Sequence, residues 1–516
     1  MNKKILRNLI VSSLAVGVIN FSPIILHENN LQIVSVAYAA VENVTASDSA
    51  ILDFGEENPQ FIETVKNIAK MRAVQAAKEK AGVYVKSFSK TVGGMITDDD
   101  ISAYTSNNIK ILDVQYKKIP VQAHDVRGND TGKIAYMYEA TVTAKVNTSD
   151  LQNYIRRDEK EKITIVQQNN DSKKNVEKIS NDFENLRKTA ENKNSEQIKS
   201  EVNKIDNEVL AQQKNDEGVE FAYKKDYQEA ISKFNDAIKL NPNFAMAYYN
   251  RGIAYDELKN YSQAISDYNQ AIKLNPNDAE AYNNRGVAYK NLKNYSQAIS
   301  DYNQAIKLNP NNDYAYNNRG NAYYDLKNYS QAISDYNQAI KLNPNYFEAY
   351  NNRGNAYLDL KNYSQAISDF NQAIKLNPNY AKAYNNRGVA YKNLKNYSQA
   401  ISDYNQAIQL NPNDADAYYN RGVAYYDLKN YSQAISDYNQ AIKLNPNNDY
   451  AYNNRGITYY DLKNYEQAIK DFTKRIQLEP NDFRGYLGRG LCYKELGNNT
   501  QAERDFARAR QLGWNG

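Results

Sequence analysis

The sequence predicts a mainly α protein: an α–α superhelix of stacked helical pairs, preceded by a small α+β domain and a helical spacer. Three observations predict it. Proline recurs at Pro242, Pro276, Pro310, Pro344, Pro378, Pro412, Pro446 and Pro480, a step of 34 residues each time. Glycine keeps the same period independently, from Gly218 through Gly252 and Gly286 to Gly490. Between these marks the apolar residues follow helical spacing, not alternation. The organisation expected is a signal peptide over 1–39, a small α+β domain over 40–150, a helical or coiled-coil spacer over 151–210 and nine repeats over 211–516.

Composition narrows the function. Lys and Arg total 64 against 60 Asp and Glu, a net charge of +4. That balance argues against a nucleic-acid partner or an electrostatically held membrane surface. The histidines are His27 and His124, and the single cysteine is Cys492. A histidine-based triad, a zinc cluster and a disulfide framework are all short of residues. Neither a phosphate-cradling loop nor a nucleophile with its base is in the sequence. The expectation is a non-enzymatic protein without metal or small-molecule cofactor. The 46 tyrosines, against 13 Phe and 1 Trp, indicate a copied segment.

The first element is an export signal. Lys3, Lys4 and Arg7 precede an apolar run from Leu9 to Leu26, and Ala37-Tyr38-Ala39 is a small-x-small cleavage site. The mature chain then begins at Ala40, in the periplasm, in the cell envelope or outside the cell. The alternative is an uncleaved signal serving as a membrane anchor, because the polar stretch His27–Asn30 makes this signal long.

The small domain follows. Ile62, Val65, Ile68, Ala69, Ala73, Ala76 and Ala77 share one helical face, predicting a helix from Pro59 to Ala81. Strands are expected at Val83–Phe88, at Ile109–Tyr116 and around Ala140–Val146, where Ala140, Val142, Ala144 and Val146 alternate with polar residues. Arg127–Gly132 reads as the loop between the last two. The Ala-rich helix with Arg72-Ala73 and its strands resembles the small domain of certain bacterial envelope lipoproteins and the N-terminal part of a flagellar-assembly protein. His124 is expected to be a surface or loop residue, not a ligand. In the spacer, Val176, Ile179, Phe183 and Leu186, then Ile198, Val202, Ile205 and Val209, form two helical runs out of register with each other. They predict a helical hairpin or a weak coiled coil, through which a homo-oligomer is an open alternative.

Each repeat reads as two helices. In the third unit, Ala281, Tyr282, Gly286 and Tyr289 lie on one face, and Ala298, Ile299, Tyr302, Ala305 and Ile306 on a second. Asn294-Tyr295-Ser296-Gln297 is a capping box that opens the second helix, and Pro310 closes it. Neither helix buries its stripe alone, so successive units must stack.

At unit positions 4, 8, 11, 20, 24, 27 and 32 this unit has Tyr282, Gly286, Tyr289, Ala298, Tyr302, Ala305 and Pro310. That pattern resembles the tetratricopeptide repeat, and all nine units carry it. In the family the residue between the helices is usually glycine; here it is mostly lysine, for instance Lys293, which places the turn's left-handed backbone on Asn294, in competition with its capping role. Arg475 replaces the small Ala in unit eight. Unit nine has Glu503 and Arg510 in place of two isoleucines of the Ile299 and Ile306 type, which reads as a polar cap. Position 7 is Arg and position 23 Asp in units two to nine, reversed as Glu217 and Lys233 in unit one. An ion pair across each hairpin is expected.

The resemblance implies that first helices line a concave groove. Position 6 there reads Asn250, Asn284, Asn318, Asn352, Asn386, Asn420 and Asn454. Each amide is donor and acceptor, suited to the backbone of an extended peptide. Asn321, Asn355 and Lys382 join them as candidate groove residues. Asn321, Asn352 and Lys382 match three places of a carboxylate-gripping arrangement known in the family. Asn317 and Asn386 stand where its other cations belong, so that arrangement is not expected. Position 13 is often acidic (Glu257, Asp325, Asp359, Asp427, Asp461, Glu495), a mild bias of the groove toward neutral or basic ligands. The expected function is an exported bacterial scaffold that binds a peptide or protein segment. The alternative is a structural envelope component whose repeats act as a spacer.

Overall fold

The computed structural model describes residues 41–52, 66–71, 73–77, 109–124, 130–147, 174–182, 185–186 and 195–515. The chain divides into two compact units, residues 1–176 and 177–516.

In the first unit, β1 (Val41–Leu52), β2 (Ile109–His124) and β3 (Asp130–Asn147) form an antiparallel sheet in the order β1-β3-β2. Val142 on β3 pairs with Ala46 on one side and Val114 on the other. β3 begins at Asp130, opposite His124, so the expected loop at Arg127–Gly132 is strand from Asp130 onward. The helix expected over Pro59–Ala81 is helical at 66–71 and 73–77, with Ile68, Ala69, Ala73 and Ala77 buried. The strand expected at Val83–Phe88 and the signal segment lie outside the described residues.

The second unit is the repeat array. A 29-residue helix, Ser195–Tyr223, runs unbroken from the spacer into the first repeat. Val202, Ile205 and Val209 on it are buried, as are Ile179 and Leu186 on the helical segments before it. Lys178 pairs with Glu208 across these segments at 3.2 Å.

The third repeat shows how each hairpin is made. Ala279–Asn291 and Tyr295–Leu308 are its helices. Asn294 caps the second, its side chain accepting from the Gln297 backbone N–H at 3.4 Å. Its φ is −89°, and the left-handed residue is Lys293, at φ 61°. Capping therefore wins at Asn294, and the strained backbone falls one residue earlier. Eight lysines, from Lys225 to Lys463, adopt this conformation, and Gly497 takes the place in unit nine.

Packing follows from size. A Cβ on Gly286 would come within 2.7 Å of Tyr302 Cε1, so the absent side chain is what admits the ring between the helices. Ala298 and Ala322 are fully buried against that ring, with Ile299 packed on the same cluster. Because Ala322 belongs to the next unit, this contact joins neighbours.

Arg and Asp then bolt each hairpin. Arg285 Nε and Nη2 donate to Asp301 at 2.8 and 2.6 Å, and Nη1 donates to Asn269 of the preceding unit at 2.6 Å. The guanidinium also stacks on Tyr282, 5.4 Å from the ring centroid. The bidentate pair recurs from Arg251–Asp267 to Arg489–Asp505, and the reversed Lys233–Glu217 pair closes unit one at 3.3 Å. Arg475 is wholly buried and pairs with Asp482 at 3.1 Å and Asp449 at 3.6 Å. Elsewhere this position packs on an alanine of the next unit, as Ala339 does on Ala349, and opposite Arg475 that alanine is Gly485.

Candidate functional site

The first helices bring the position-6 asparagines into one row, and each reaches back to the unit before. Asn318, Asn352, Asn386 and Asn420 donate from Nδ2 to Asn283, Asn317, Asn351 and Asn385, each at 3.1 Å. Asn250 donates to Asn215 at 3.0 Å, while Asn284 and Asn454 donate to the hydroxyls of Tyr249 and Tyr419 at 2.9 and 3.0 Å. Within units, Asn283 and Asn351 donate to Asn284 and Asn352 at 3.3 and 3.4 Å. The row is thus a hydrogen-bonded ladder that also joins the units. A primary amide has two N–H groups and two lone pairs, so a rung that uses one N–H keeps further capacity for a ligand.

Four of the candidate residues, Asn352, Asn355, Lys382 and Asn386, line one pocket of about 620 Å³ across units five to seven. Eight asparagines, Tyr380, Lys382, Asp414 and Asp416 surround it. Burial pushes the Tyr380 phenol up to about 12, with Glu348 adding to the shift, so the group is a neutral donor at any ordinary pH. Burial also raises the Asp416 carboxyl, and Asp414 beside it acts in the same direction. A pocket with such walls offers hydrogen bonds in place of an apolar anchor.

Position 9 separates two neighbouring units. In unit four, Tyr336 donates its hydroxyl to Asn321 Oδ1 at 2.8 Å. In unit five the ring is Phe370, so Asn355 has no such internal donor and faces the pocket. Where position 9 is Val287 or Val389, the hydroxyls of Tyr302 and Tyr404 are buried without a partner. The sequence reading placed Asn321 and Asn355 together. The exchange of Tyr for Phe at position 24 was the signal, available in the sequence, that they differ. The pocket-lining Asn411, Asn413 and Asn445, in the loops between units, were missed; their recurrence beside each proline disguised them as turn residues.

This array of helical pairs, bolted by Arg–Asp and stacked through small residues, defines a repeat scaffold. The chain belongs to the tetratricopeptide-repeat family: its signature matches at residues 245–278, 279–312, 347–380, 381–414, 415–448 and 450–482, with two related signatures at 218–259, 320–361 and 301–334. Repeats of this family generally mediate protein or peptide binding and are generally non-catalytic. Among solved structures, MamA is 26% identical over 31% of this chain and 93% of its own, with a TM-score of 0.30. YrrB, a TPR protein with an unusual peptide-binding site, is 25% identical over 36% of this chain and 95% of its own, at 0.30. A tetratricopeptide repeat protein from Parabacteroides merdae is 20% identical over 51% and 98%, at 0.40. No curated protein matches the chain. Among the described residues no helix is long and apolar enough to cross a membrane, and no group of three or more His, Cys, Asp or Glu is placed to hold a metal.

Proposed function

We propose that this protein is an exported bacterial scaffold that captures an extended segment of a partner protein in its asparagine-lined groove. The observation that carries the reading is the amide ladder with the pocket beside it. Asn352 and Asn386, the rungs that line the pocket, each use one N–H to join the unit before and keep a second, and amides pair with a peptide backbone regardless of its side chains. Export rests on the basic start, the apolar run and the Ala37-Tyr38-Ala39 site.

The test is crosslinking in intact cells followed by mass spectrometry, comparing the natural chain with N355A/K382A/N413A. None of these three side chains is a rung of the ladder, so the array should fold normally. The expected outcome is loss of the principal crosslinked partner. An unchanged partner set at unchanged yield would refute capture at this groove and favour the envelope spacer. Recovery of only cytoplasmic partners would refute export.

A further inference from the structure

On the first helices that carry the asparagine ladder, a tyrosine hydrogen-bonded to an aspartate of the next unit occurs at two places three units apart, and a related pair, Tyr460 and Tyr465 at 5.4 Å between centroids, lies beside Asp461 in unit eight. In the first copy, Tyr324 of unit four donates its hydroxyl to Asp359 of unit five at 2.6 Å, and its ring meets Tyr329 at 5.6 Å between centroids. In the second, Tyr426 of unit seven donates to Asp461 of unit eight at 2.7 Å, and its ring meets Tyr431 at 5.6 Å. Each copy adds an exposed acid next to the donating tyrosine, Asp325 or Asp427. Neither of these acids has a hydrogen-bond or ion-pair partner among the described residues. Lys290 and Lys392 hold the tyrosine's position in the preceding units, yet neither forms an ion pair with them within 4.0 Å.

Two carboxylates and two ring faces without a cation make a site of one sign. The rings attract positive charge through their quadrupoles, and the carboxylates accept hydrogen bonds from ammonium or guanidinium N–H groups. The hydroxyl donated by each tyrosine holds one carboxylate in place before a ligand arrives. We infer that each constellation seats one lysine or arginine side chain of the captured segment, so that the partner is a basic peptide whose cationic residues engage sites three units apart. This rests on the groove reading and names the chemistry of its ligand.

The test uses the full chain and a fluorescein-labelled peptide of alternating serine and lysine, with the same peptide fully lysine-acetylated as control. Acetylation removes the charge and keeps the length. By fluorescence anisotropy the lysine peptide binds and the acetylated one does not. D325N/D427N and Y324L/Y426L, each checked for natural helicity by circular dichroism, weaken binding by about five- to thirtyfold as both sites are lost together. E229Q/D236N removes two exposed carboxylates from unit one and leaves binding unchanged. If the tyrosine pair has no effect, or if the unit-one pair weakens binding equally, attraction is diffuse and the inference is overturned. A neutral peptide selected from a display library, whose capture needs Asn355 and Lys382 yet ignores all four of the other site substitutions, would also overturn it while leaving the groove reading intact.

Discussion

Replacing the left-handed lysines by glycine should stabilise the array, and the size of the effect follows from the backbone. Lys293, Lys327, Lys361 and Lys395 sit at φ 61°, 61°, 59° and 61°. There a Cβ crowds the following carbonyl, which costs an L-residue about 1–2 kcal/mol. Glycine removes that cost but has more freedom to lose on folding, about 0.5–1 kcal/mol. The net gain is therefore about 0.5–1 kcal/mol per turn, or roughly 2–4 kcal/mol for K293G/K327G/K361G/K395G, since separate hairpins act nearly independently. Urea unfolding followed by far-UV circular dichroism should show a higher midpoint with an unchanged slope.

Two controls isolate the cause. The same four lysines changed to alanine remove the charges and keep the Cβ, so the midpoint should not rise. Gly497, at φ 76°, supplies the reverse test, because G497K should cost about what one lysine-to-glycine change gains. If the glycine and alanine sets raise the midpoint equally, relief of charge repulsion explains the gain and the backbone argument is refuted.

Other perturbations follow from the packing. G286A places a Cβ 2.7 Å from Tyr302 Cε1 and should destabilise by about 1–3 kcal/mol, measured by the same urea titration. R319M leaves Asp335, which is 5% exposed, without its bidentate partner; a loss of about 3 kcal/mol is expected, with much of it recovered in R319M/D335L. Acid should loosen the last repeat first: the Arg484 side chain, helped by its backbone N–H and by Arg475, holds the Asp482 carboxyl down to about 2 against the opposing effect of burial. A lowered carboxyl contributes fully above its unfolded value of about 3.9 and loses that contribution as pH falls through about 2. Trp514, 5.7 Å from Phe506, reports this as a fluorescence change between those limits, and D482N should abolish that part of the pH dependence.

The array was legible because repetition multiplies weak signals. One Arg at position 7 and one Asp at position 23 mean little, whereas eight such pairs and one reversal in unit one predicted the bridge that forms. The helical faces, the capping Asn294 and the stop at Pro310 were read in the same way. The turn was half legible: lysine has no preference for left-handed backbone, so its propensity pointed to Asn294 while the geometry of the cap required Lys293. β1 was not legible. Its sequence Val-Glu-Asn-Val-Thr-Ala-Ser-Asp-Ser-Ala-Ile-Leu has short polar residues that suit turns as well as strands, and only the pairing with β3 decides between them. In the groove, the sequence showed which side chains recur on one face. It did not show that each position-6 amide hydrogen-bonds to the position-5 residue of the unit before, because that contact lies 35 residues away in each case.

That contact also indicates where recognition is written. Positions that stay constant from unit to unit are largely occupied in holding the units together: Asn at 6 with the unit before, Arg at 7 with Asp at 23 and with Asn at 25 of the unit before, Gly at 8 beneath the aromatic at 24. A ligand can use their remaining capacity, but they are alike along the array and cannot distinguish one part of a partner from another. Positions 2, 9, 12 and 13 vary, and there the structure leaves groups available to solvent: Lys382, Asn355, Asp325 and Asp427. Duplication therefore supplied the frame and a uniform, sequence-tolerant ladder. On the proposed reading, the few departures from the copied unit would supply register and charge preference. A chimera in which units four and five are overwritten with the unit-three sequence would keep every frame contact and lose Asn355, the Tyr324–Asp359 pair and Asp325. Such a chimera should melt like the natural chain yet fail to retain the partner. If it melts normally and the partner stays bound, recognition lies in the repeated positions and this division is wrong.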